Sequence, residues 1–290
     1  MSTSAQPPFT NREVVIQPST EWFTIDWRGL LAYRDLIRQL VLRDFTAKYK
    51  QTILGPAWFF INPLITTVMF TLVFTKVLNV PTDGVPPMLF YLCGMLGWSY
   101  FAAVLGATGN SLAGNANLFS KVYFPRLIPP LALTISSLLS LAIQFLTFLA
   151  FFVHIYWFTA NPVVQGPGWR WLLYPLIVVH MATLALGVGL ILSTLTAKYR
   201  DLGHIQGFLV QIWMYATPVI YPLSRIPGKW QWVAHLNPMT AIVESTRLLL
   251  LGAGTVEPKQ YLLSVLLSVG VLLVGLFSYQ RAARTFVDTV

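Results

Sequence analysis

The stretch WLLYPLIVVHMATLALGVGLILSTLT, from Trp171 to Thr196, contains no Lys, Arg, Asp or Glu. A helix of about 20 apolar residues crosses about 30 Å of hydrocarbon, so this stretch is long enough to span a membrane. Five further stretches share its lack of charge: Ala57 to Thr75, Met88 to Ala113, Leu127 to Phe158, Ile205 to Tyr221 and Gln260 to Gln280. The sequence therefore predicts an all-α membrane protein with six transmembrane helices.

The composition fits a membrane protein and argues against a nucleic-acid-binding one. Hydrophobic residues make up 56% of the chain and charged residues 10%, against about 25% charged residues in soluble domains. The net charge of +9 is distributed along the chain: if the spans alternate, 13 of the 19 Lys and Arg residues fall on one side. By the positive-inside rule that side is the cytoplasm, and an even number of spans then places both termini there. We expect membrane lipids, and no nucleic acid, among its partners.

The first 50 residues are predicted to precede a six-span domain of residues 51–290. Residues 1–26 are polar and lack the apolar core of a signal peptide, so they are expected to form a cytoplasmic tail. Trp27 to Lys50 has the pattern of an amphipathic helix lying in the cytoplasmic interface. Its apolar arc contains Leu30, Tyr33, Ile37, Leu40, Val41 and Phe45. Arg34 interrupts that arc, which predicts a break or a partner contact there.

The source of energy is expected to lie outside the chain. The six stretches lack the charged groups on which ion-coupled transporters and proton relays usually depend. A P-loop needs a glycine-rich turn ending in Gly-Lys-Ser/Thr, whose amides cradle phosphates. The only Gly-Lys pair, Gly228–Lys229, is followed by Trp230 and lacks the upstream glycine. Hydrolysis of ATP, if it is used, is therefore expected in another chain.

Neither the cysteine nor the histidines indicate a metal site or a disulfide. Cys93 is the single cysteine, which excludes an internal disulfide and favours a packing role. His154 and His180 have no second histidine or acidic residue beside them, so we expect packing residues and no metal.

The segment from Thr217 to Arg247 is the irregular part of the chain, and its residues 217–240 are TPVIYPLSRIPGKWQWVAHLNPMT. They contain four prolines and one glycine, are too polar for a complete span, and are too apolar for an ordinary loop. Non-helical backbone at membrane depth requires surrounding protein or a watery cavity. The pattern favours a re-entrant pair of short helices at the outer face, before the last span. The alternative is an extracellular loop resting on the headgroups.

Five motifs occur in order along the chain. They are RDFTAKYKQTILGPAWFFINPL (Arg43 to Leu64), NANLFSKVYFPRLIPPL (Asn115 to Leu131), YRDLG (Tyr199 to Gly203), ATPVIYPLSRIP (Ala216 to Pro227) and LNPMTAIVESTR (Leu236 to Arg247). Together they resemble the permease subunits of polysaccharide ABC exporters, which move lipid-linked O-antigens, capsular polysaccharides and teichoic acids across the bacterial inner membrane. The resemblance extends from about Leu30 to Arg284.

The resemblance implies an assembly and an energy source. It implies a homodimer of six-span subunits joined to two separate nucleotide-binding subunits, with a continuous channel for a lipid-linked polysaccharide. ATP and Mg would be bound by the partner ATPase, and this chain would hold no cofactor and no catalytic residue. One alternative is a permease for a smaller lipid or drug. Another is a stand-alone channel or secondary transporter, which would conduct or transport without an ATPase.

Four aromatic residues near the middle of predicted spans are candidates for the channel: Trp98, Tyr100, Trp213 and Tyr215. An interfacial aromatic belt does not explain aromatic residues at that depth. Sugar rings stack their C–H faces on aromatic planes, which makes these side chains candidate channel contacts. Packing between helices is the alternative.

Two short cytoplasmic loops are candidates for contact with the ATPase. Their candidate residues are Asn117, Lys121, Arg126, Arg200 and Asp201. Short basic and polar loops are expected to form rigid coupling elements, as the resemblance also implies. An ordinary positive-inside turn is the alternative.

The irregular segment is the candidate outer gate, with Pro218, Tyr221, Pro222, Arg225, Pro227 and Pro238 as its candidate residues. Its prolines interrupt helical hydrogen bonding. Beyond it, Glu244 and Arg247 are three residues apart, so they can pair on one helical face. We expect this pair to brace the re-entrant region, the alternative being a solvated surface pair.

Overall fold

The computed structural model describes residues 27–48, 50, 52–119, 124–159, 164–199 and 201–286. This described part is all-helical and contains no strand. Its α-helices are α1 (Trp27–Ala32), α2 (Arg34–Ala47), α3 (Trp58–Phe70), α4 (Pro87–Thr108), α5 (Ser111–Gly114), α6 (Ala116–Phe119), α7 (Ile128–Thr159), α8 (Tyr174–Lys198), α9 (Leu202–Tyr215), α10 (Gly228–Leu236), α11 (Pro238–Leu251) and α12 (Pro258–Phe286). A π-helical stretch, Thr71–Val77, extends α3, and 3-10 turns precede α3, α8 and α10.

Within the described ranges, five helical segments are long and apolar enough to cross a membrane. They are Gly55–Val77, Pro87–Thr108, Ile128–Phe158, Trp169–Lys198 and Pro258–Arg284. They correspond to five of the six predicted stretches, so the prediction of an all-α, multi-pass membrane protein is confirmed. Charged residues in these segments lie near their ends, as the sequence indicated.

The predicted fifth span, Ile205 to Tyr221, has a different structure. Helix α9 is 14 residues long and ends at Tyr215, so it measures about 21 Å, less than the hydrocarbon thickness. The helix stops just before Thr217 and Pro218, and a residue that precedes proline is disfavoured in helical conformation. The count of six spans is therefore not confirmed by helix length.

Helix α4 is the centre of the bundle. It packs against α3, α7, α8 and α11, and most of its side chains are buried, among them Leu89, Phe101 and Val104. The other long helices each expose apolar side chains on an outer face, as expected for helices that contact lipid. This placement makes α4 the common wall against which the remaining elements are positioned.

Helices α8 and α12 are in backbone contact. A Cβ atom added at Gly187 would lie 2.7 Å from the backbone nitrogen of Leu272, and one added at Gly275 would collide with the carbonyl oxygen of Gly187. Small residues permit such close approach between membrane helices. The two helices therefore form a tightly packed pair.

The N-terminal helices pack onto the bundle by one face. Leu30, Leu40 and Val41 are buried, and α2 lies against α7. The break between α1 and α2 falls at Tyr33, next to the arginine that interrupts the apolar arc. The division of the chain at residue 50 and the position of α2 in the interface stay predictions.

Candidate functional site

Helices α10 and α11 form a helical hairpin, and residues 216–227, which connect α9 to α10, are its irregular entry. After Tyr215 the chain turns, passes through the 3-10 turn Leu223–Arg225, and enters α10, which is followed at once by α11. The candidate prolines stand at helix boundaries: Pro222 and Pro227 immediately precede the 3-10 turn and α10, and Pro238 is the first residue of α11. Proline is tolerated at these positions because the first amides of a helix have no partner within it.

The tip of the hairpin lies beside the second turn of α12. The hydroxyl of Ser264 donates to the carbonyl oxygen of Pro238 at 2.9 Å, and Gln260 Nε2 lies 3.3 Å from His235 Nε2. Ser264 is six residues beyond the start of α12, which corresponds to about 9 Å along the helix axis. Helices α10 and α11 thus run toward a tip that lies well within the length of α12.

Asn237 holds the tip to the end of α9. Its Oδ1 accepts from Met239 N at 3.1 Å and from Trp213 Nε1 at 3.0 Å, while its Nδ2 donates to Thr217 Oγ1 at 2.9 Å. The first of these bonds is the N-cap bond of α11. The side chain therefore joins α9, the turn that follows it, and α11.

Arg247 holds the turn after α9 from the other side. Its guanidinium donates to the carbonyl oxygens of Pro218 at 2.6 Å and Val219 at 2.7 Å. It also donates to Glu244 Oε1 at 2.8 Å, and the two side chains are only 2% and 4% exposed. They form a buried ion pair, which differs from the solvated surface pair of the alternative interpretation.

Every polar side-chain atom of this ion pair has a hydrogen-bond partner except Arg247 Nε, which has none among the described residues. The second carboxylate oxygen of Glu244 accepts from Thr255 N at 3.1 Å, and the ring of Phe90 lies 3.8 Å from the guanidinium carbon. Gly94 leaves the necessary space, because a Cβ atom there would lie 3.0 Å from Arg247 Nη2. A buried ion pair offsets its desolvation only when such additional hydrogen bonds are made.

Residues 221–227, which we call the rim of the hairpin, make fewer contacts with the rest of the chain. The phenol of Tyr221 donates to the carbonyl oxygen of Tyr215 at 2.9 Å. Ser224 Oγ donates to the Asp83 carboxylate at 3.2 Å, which links the rim to the loop before α4. Arg225 and Pro227 are exposed. The gate role of all six candidate residues stays a prediction.

The four candidate channel aromatics do not share one surface of the chain. Trp98 and Tyr100 are buried, the former with its ring centroid 5.4 Å from that of Phe101. Trp213 is half-buried against the same phenylalanine, at 5.0 Å, whereas Tyr215 is 52% exposed. Contact with a channel stays a prediction for all four. Among these four residues, Trp213 also contacts the hairpin tip, where its Nε1 donates to Asn237 Oδ1.

Of the candidate coupling residues, Arg126 and Asp201 lie at the opposite end of α4. Lys121 and Arg200 fall outside the described residues, as does the side chain of Asn117. The carbonyl oxygen of Arg126 accepts from the phenol of Tyr279 at 3.1 Å. Asp201 is exposed immediately before α9, where a negative charge is favoured by the helix dipole.

A polar network near these loops was not predicted from the sequence. Gln206 Nε2 donates to the carbonyl oxygen of Leu105 at 2.8 Å and Asn110 Nδ2 donates to Gln206 Oε1 at 3.2 Å. Ser193 Oγ accepts from Leu112 N at 3.0 Å, and Thr196 donates to the carbonyl oxygen of Gly109 at 2.7 Å. The network joins the end of α4 to α8 and α9. A glutamine inside an apolar stretch was the available signal.

Comparison with known proteins gives the family. Residues 35–251 match the sequence model of the family described as "ABC-2 type transporter". The chain is 31% identical over 224 residues to the "O-antigen export system permease protein RfbA" of Myxococcus xanthus, covering 75% of this chain and 81% of the relative. A protein of the same name from Klebsiella pneumoniae is 28% identical over 257 residues, covering 88% and 94%. The "Capsule polysaccharide export inner-membrane protein CtrC" of Neisseria meningitidis serogroup B is 23% identical over 258 residues, covering 89% and 95%. The chain belongs to the ABC-2 type transporter family.

Proposed function

We propose that this chain is the membrane-spanning subunit of an ATP-driven exporter that moves a lipid-linked polysaccharide from the cytoplasm across the bacterial inner membrane. The observation that carries the proposal is the extent of the match: three relatives named for O-antigen or capsule polysaccharide export align over 75% to 89% of this chain and 81% to 95% of their own length. Their shared function in polysaccharide export favours this class of substrate over a smaller lipid or drug.

The energy would come from separate subunits. The charged residues of the five long helices lie near the helix ends, and Gly228 and Lys229 lie in the first turn of α10 and are followed by Trp230. In the proposed assembly, two copies of this chain join two ATPase subunits that bind ATP and Mg. The loops around Arg126 and Asp201, with Asn117, Lys121 and Arg200, would receive their motion.

The hairpin α10–α11 would close the outward end of the pathway. Helix α9 and the chain that follows it would together make the fifth of six crossings, with both termini in the cytoplasm. The depth of the hairpin tip along α12 supports a re-entrant arrangement, because an ordinary loop would lie beyond the helix ends. Exposed residues of the rim, such as Arg225, would meet the anionic groups of substrate or lipid.

The test is reconstitution with and without an ATPase. A P-loop ATPase encoded beside this chain would be co-expressed with it, and the complex placed in lipid vesicles with a lipid-linked glycan. We expect a two-plus-two complex, ATP-dependent movement of the glycan, and no ATP hydrolysis by this chain alone. Ion-driven transport without the ATPase would establish a secondary transporter, and ATP-dependent transport of small lipids but not glycans would establish the other alternative.

A further inference from the structure

A buried histidine lies behind the hairpin tip, between α8 and α12. His180 is 6% exposed, and its Nε2 lies 3.0 Å from Ser268 Oγ and 3.2 Å from Ser264 Oγ. The same Ser264 hydroxyl reaches the carbonyl oxygen of Pro238, the first residue of α11. His180 is therefore connected to the hairpin through a single serine.

The hydrogen-bond geometry favours a proton on Nε2 of the ring. Each serine has one hydroxyl proton: that of Ser264 goes to Pro238 O at 2.9 Å, and that of Ser268 goes to Ser264 O at 2.8 Å. Both serine oxygens can then only accept from His180, so a proton on Nε2 makes every contact attractive. A proton on Nδ1 instead would leave a buried donor unpaired, because Nδ1 has no partner in the described part of the chain.

Helices α8 and α12, which hold His180 and the serines, are tightly packed, and helices α10 and α11 of the hairpin differ in how far they are buried. Helices α8 and α12 are in backbone contact at Gly187 and Gly275. All residues of α11 from Met239 to Arg247 are buried, whereas α10 has Ala234 as its one buried residue. An element with few buried contacts opens at lower cost than one that is buried throughout.

We infer that His180, carrying its proton on Nε2, is the positioning residue that holds the start of α11 on the α8–α12 pair through Ser264. The junction Asn237–Pro238 is then the hinge of the hairpin. Helix α11 remains fixed during transport, and α10, in which Ala234 is the one buried residue, is the half that moves. The role in transport rests on the proposed export function, whereas the attachment itself does not.

Matched variants separate the attachment from general packing. Ser264→Ala removes the bond to Pro238 and leaves His180 its contact with Ser268; Ser268→Ala keeps the bond to Pro238. His180→Gln keeps a donor near the Nε2 position, and His180→Leu removes it. In hydrogen exchange of the purified chain in detergent, we expect the first-turn amides of α11 to exchange about fivefold to tenfold faster in Ser264→Ala and His180→Leu. The other two variants are expected to stay within about twofold of the parent. Equal exchange in Ser264→Ala and Ser268→Ala would overturn the attachment.

Two further measurements complete the test. Nitrogen-15 NMR of labelled histidine, with His180 identified by its loss in His180→Gln, should show protonated Nε2 and unprotonated Nδ1; the opposite tautomer would overturn the proton assignment. In the reconstituted exporter, a crosslink between cysteines on α11 and α12 should leave transport unchanged, and loss of transport would overturn the fixed role of α11. If the parent complex moves no glycan, the proposed function fails while the exchange and NMR results still decide the attachment.

Discussion

Replacement of Arg247 by methionine is expected to destabilise the folded chain by about 3–5 kcal/mol. Methionine fills much of the same space but removes the donors to Pro218, Val219 and Glu244. Glu244, whose side chain is 4% exposed, would then remain as a buried charge. Among the described residues, the amide of Thr255 would still donate a hydrogen bond to its carboxylate. The unpaired carboxylate is the main source of the cost.

The magnitude follows from the contacts, and their sum sets its upper limit. Hydrogen bonds of a charged group contribute about 1.5–3 kcal/mol each, so three would give about 4.5–9 kcal/mol. That sum overstates the loss, because removal of the guanidinium also removes the cost of its desolvation. Arg247→Lys should lie between the parent and Arg247→Met, since an ammonium lacks the planar fork that reaches two adjacent carbonyls.

The assay is reversible unfolding in detergent, followed by circular dichroism at constant detergent concentration. Arg225→Met is the matched control, because Arg225 is exposed at the rim of the same segment; a surface substitution of this kind should change the free energy of unfolding by less than about 0.5 kcal/mol. The double variant Glu244→Gln with Arg247→Met removes both charges and should recover more than half of the loss. The reasoning is refuted if Arg247→Met is as mild as the control, or if the two substitutions in the double variant are additive.

Three other predictions address packing, coupling and the gate. Gly275→Ala should prevent stable folding because its Cβ atom would meet the backbone of Gly187, whereas Gly270→Ala in the same helix, with open space around it, should be neutral or slightly stabilising when unfolding is measured. Asp201→Lys, or charge reversal at Lys121 or Arg126, should weaken binding of the ATPase or separate ATP hydrolysis from export; unchanged complex stability and export in all three would identify ordinary turns. Lys229→Cys, in a variant from which Cys93 has been removed, should permit a disulfide between two copies of the chain. This disulfide should stop export until it is reduced, and export through a fully crosslinked pair would place the gate elsewhere.

The long helices were predictable because their signal is local. A run of apolar residues without charge has few alternatives to a membrane-spanning helix, and five of the predicted stretches have the expected structure. The prolines likewise identified an irregular segment, since each one removes an amide donor. The predicted span nevertheless followed the apolar run ATPVIY to Tyr221, although Pro218 within that run disfavours a helix there, and α9 ends at Tyr215.

The contacts that hold the hairpin were less predictable, because their partners are distant in sequence. Spacing placed Glu244 and Arg247 on one helical face, but it gave no indication that Arg247 reaches the carbonyls of residues 28 and 29 positions earlier. His180 looked like an ordinary packing residue, since the serines it contacts lie 84 and 88 positions away. Such pairs depend on how helices pack, and a single sequence does not encode this packing in a local pattern.

The anchors of the hairpin have a common physical basis in the backbone groups that the prolines leave without helical partners. Irregular backbone in an apolar environment requires other donors for its carbonyl oxygens. Arg247 supplies them to Pro218 and Val219, and the side-chain amide of Asn237 donates to Ala216 at 3.3 Å. Both donors lie on or immediately before α11, so the buried helix supports the entry to the hairpin as well as its tip. Any opening that moves residues 216–219 must break these bonds, and the freed carbonyls then need water or substrate hydroxyls as donors. In the proposed exporter, we expect opening of the hairpin to be favoured most when a hydrated glycan occupies the pathway, because its hydroxyl groups replace the donors that are lost.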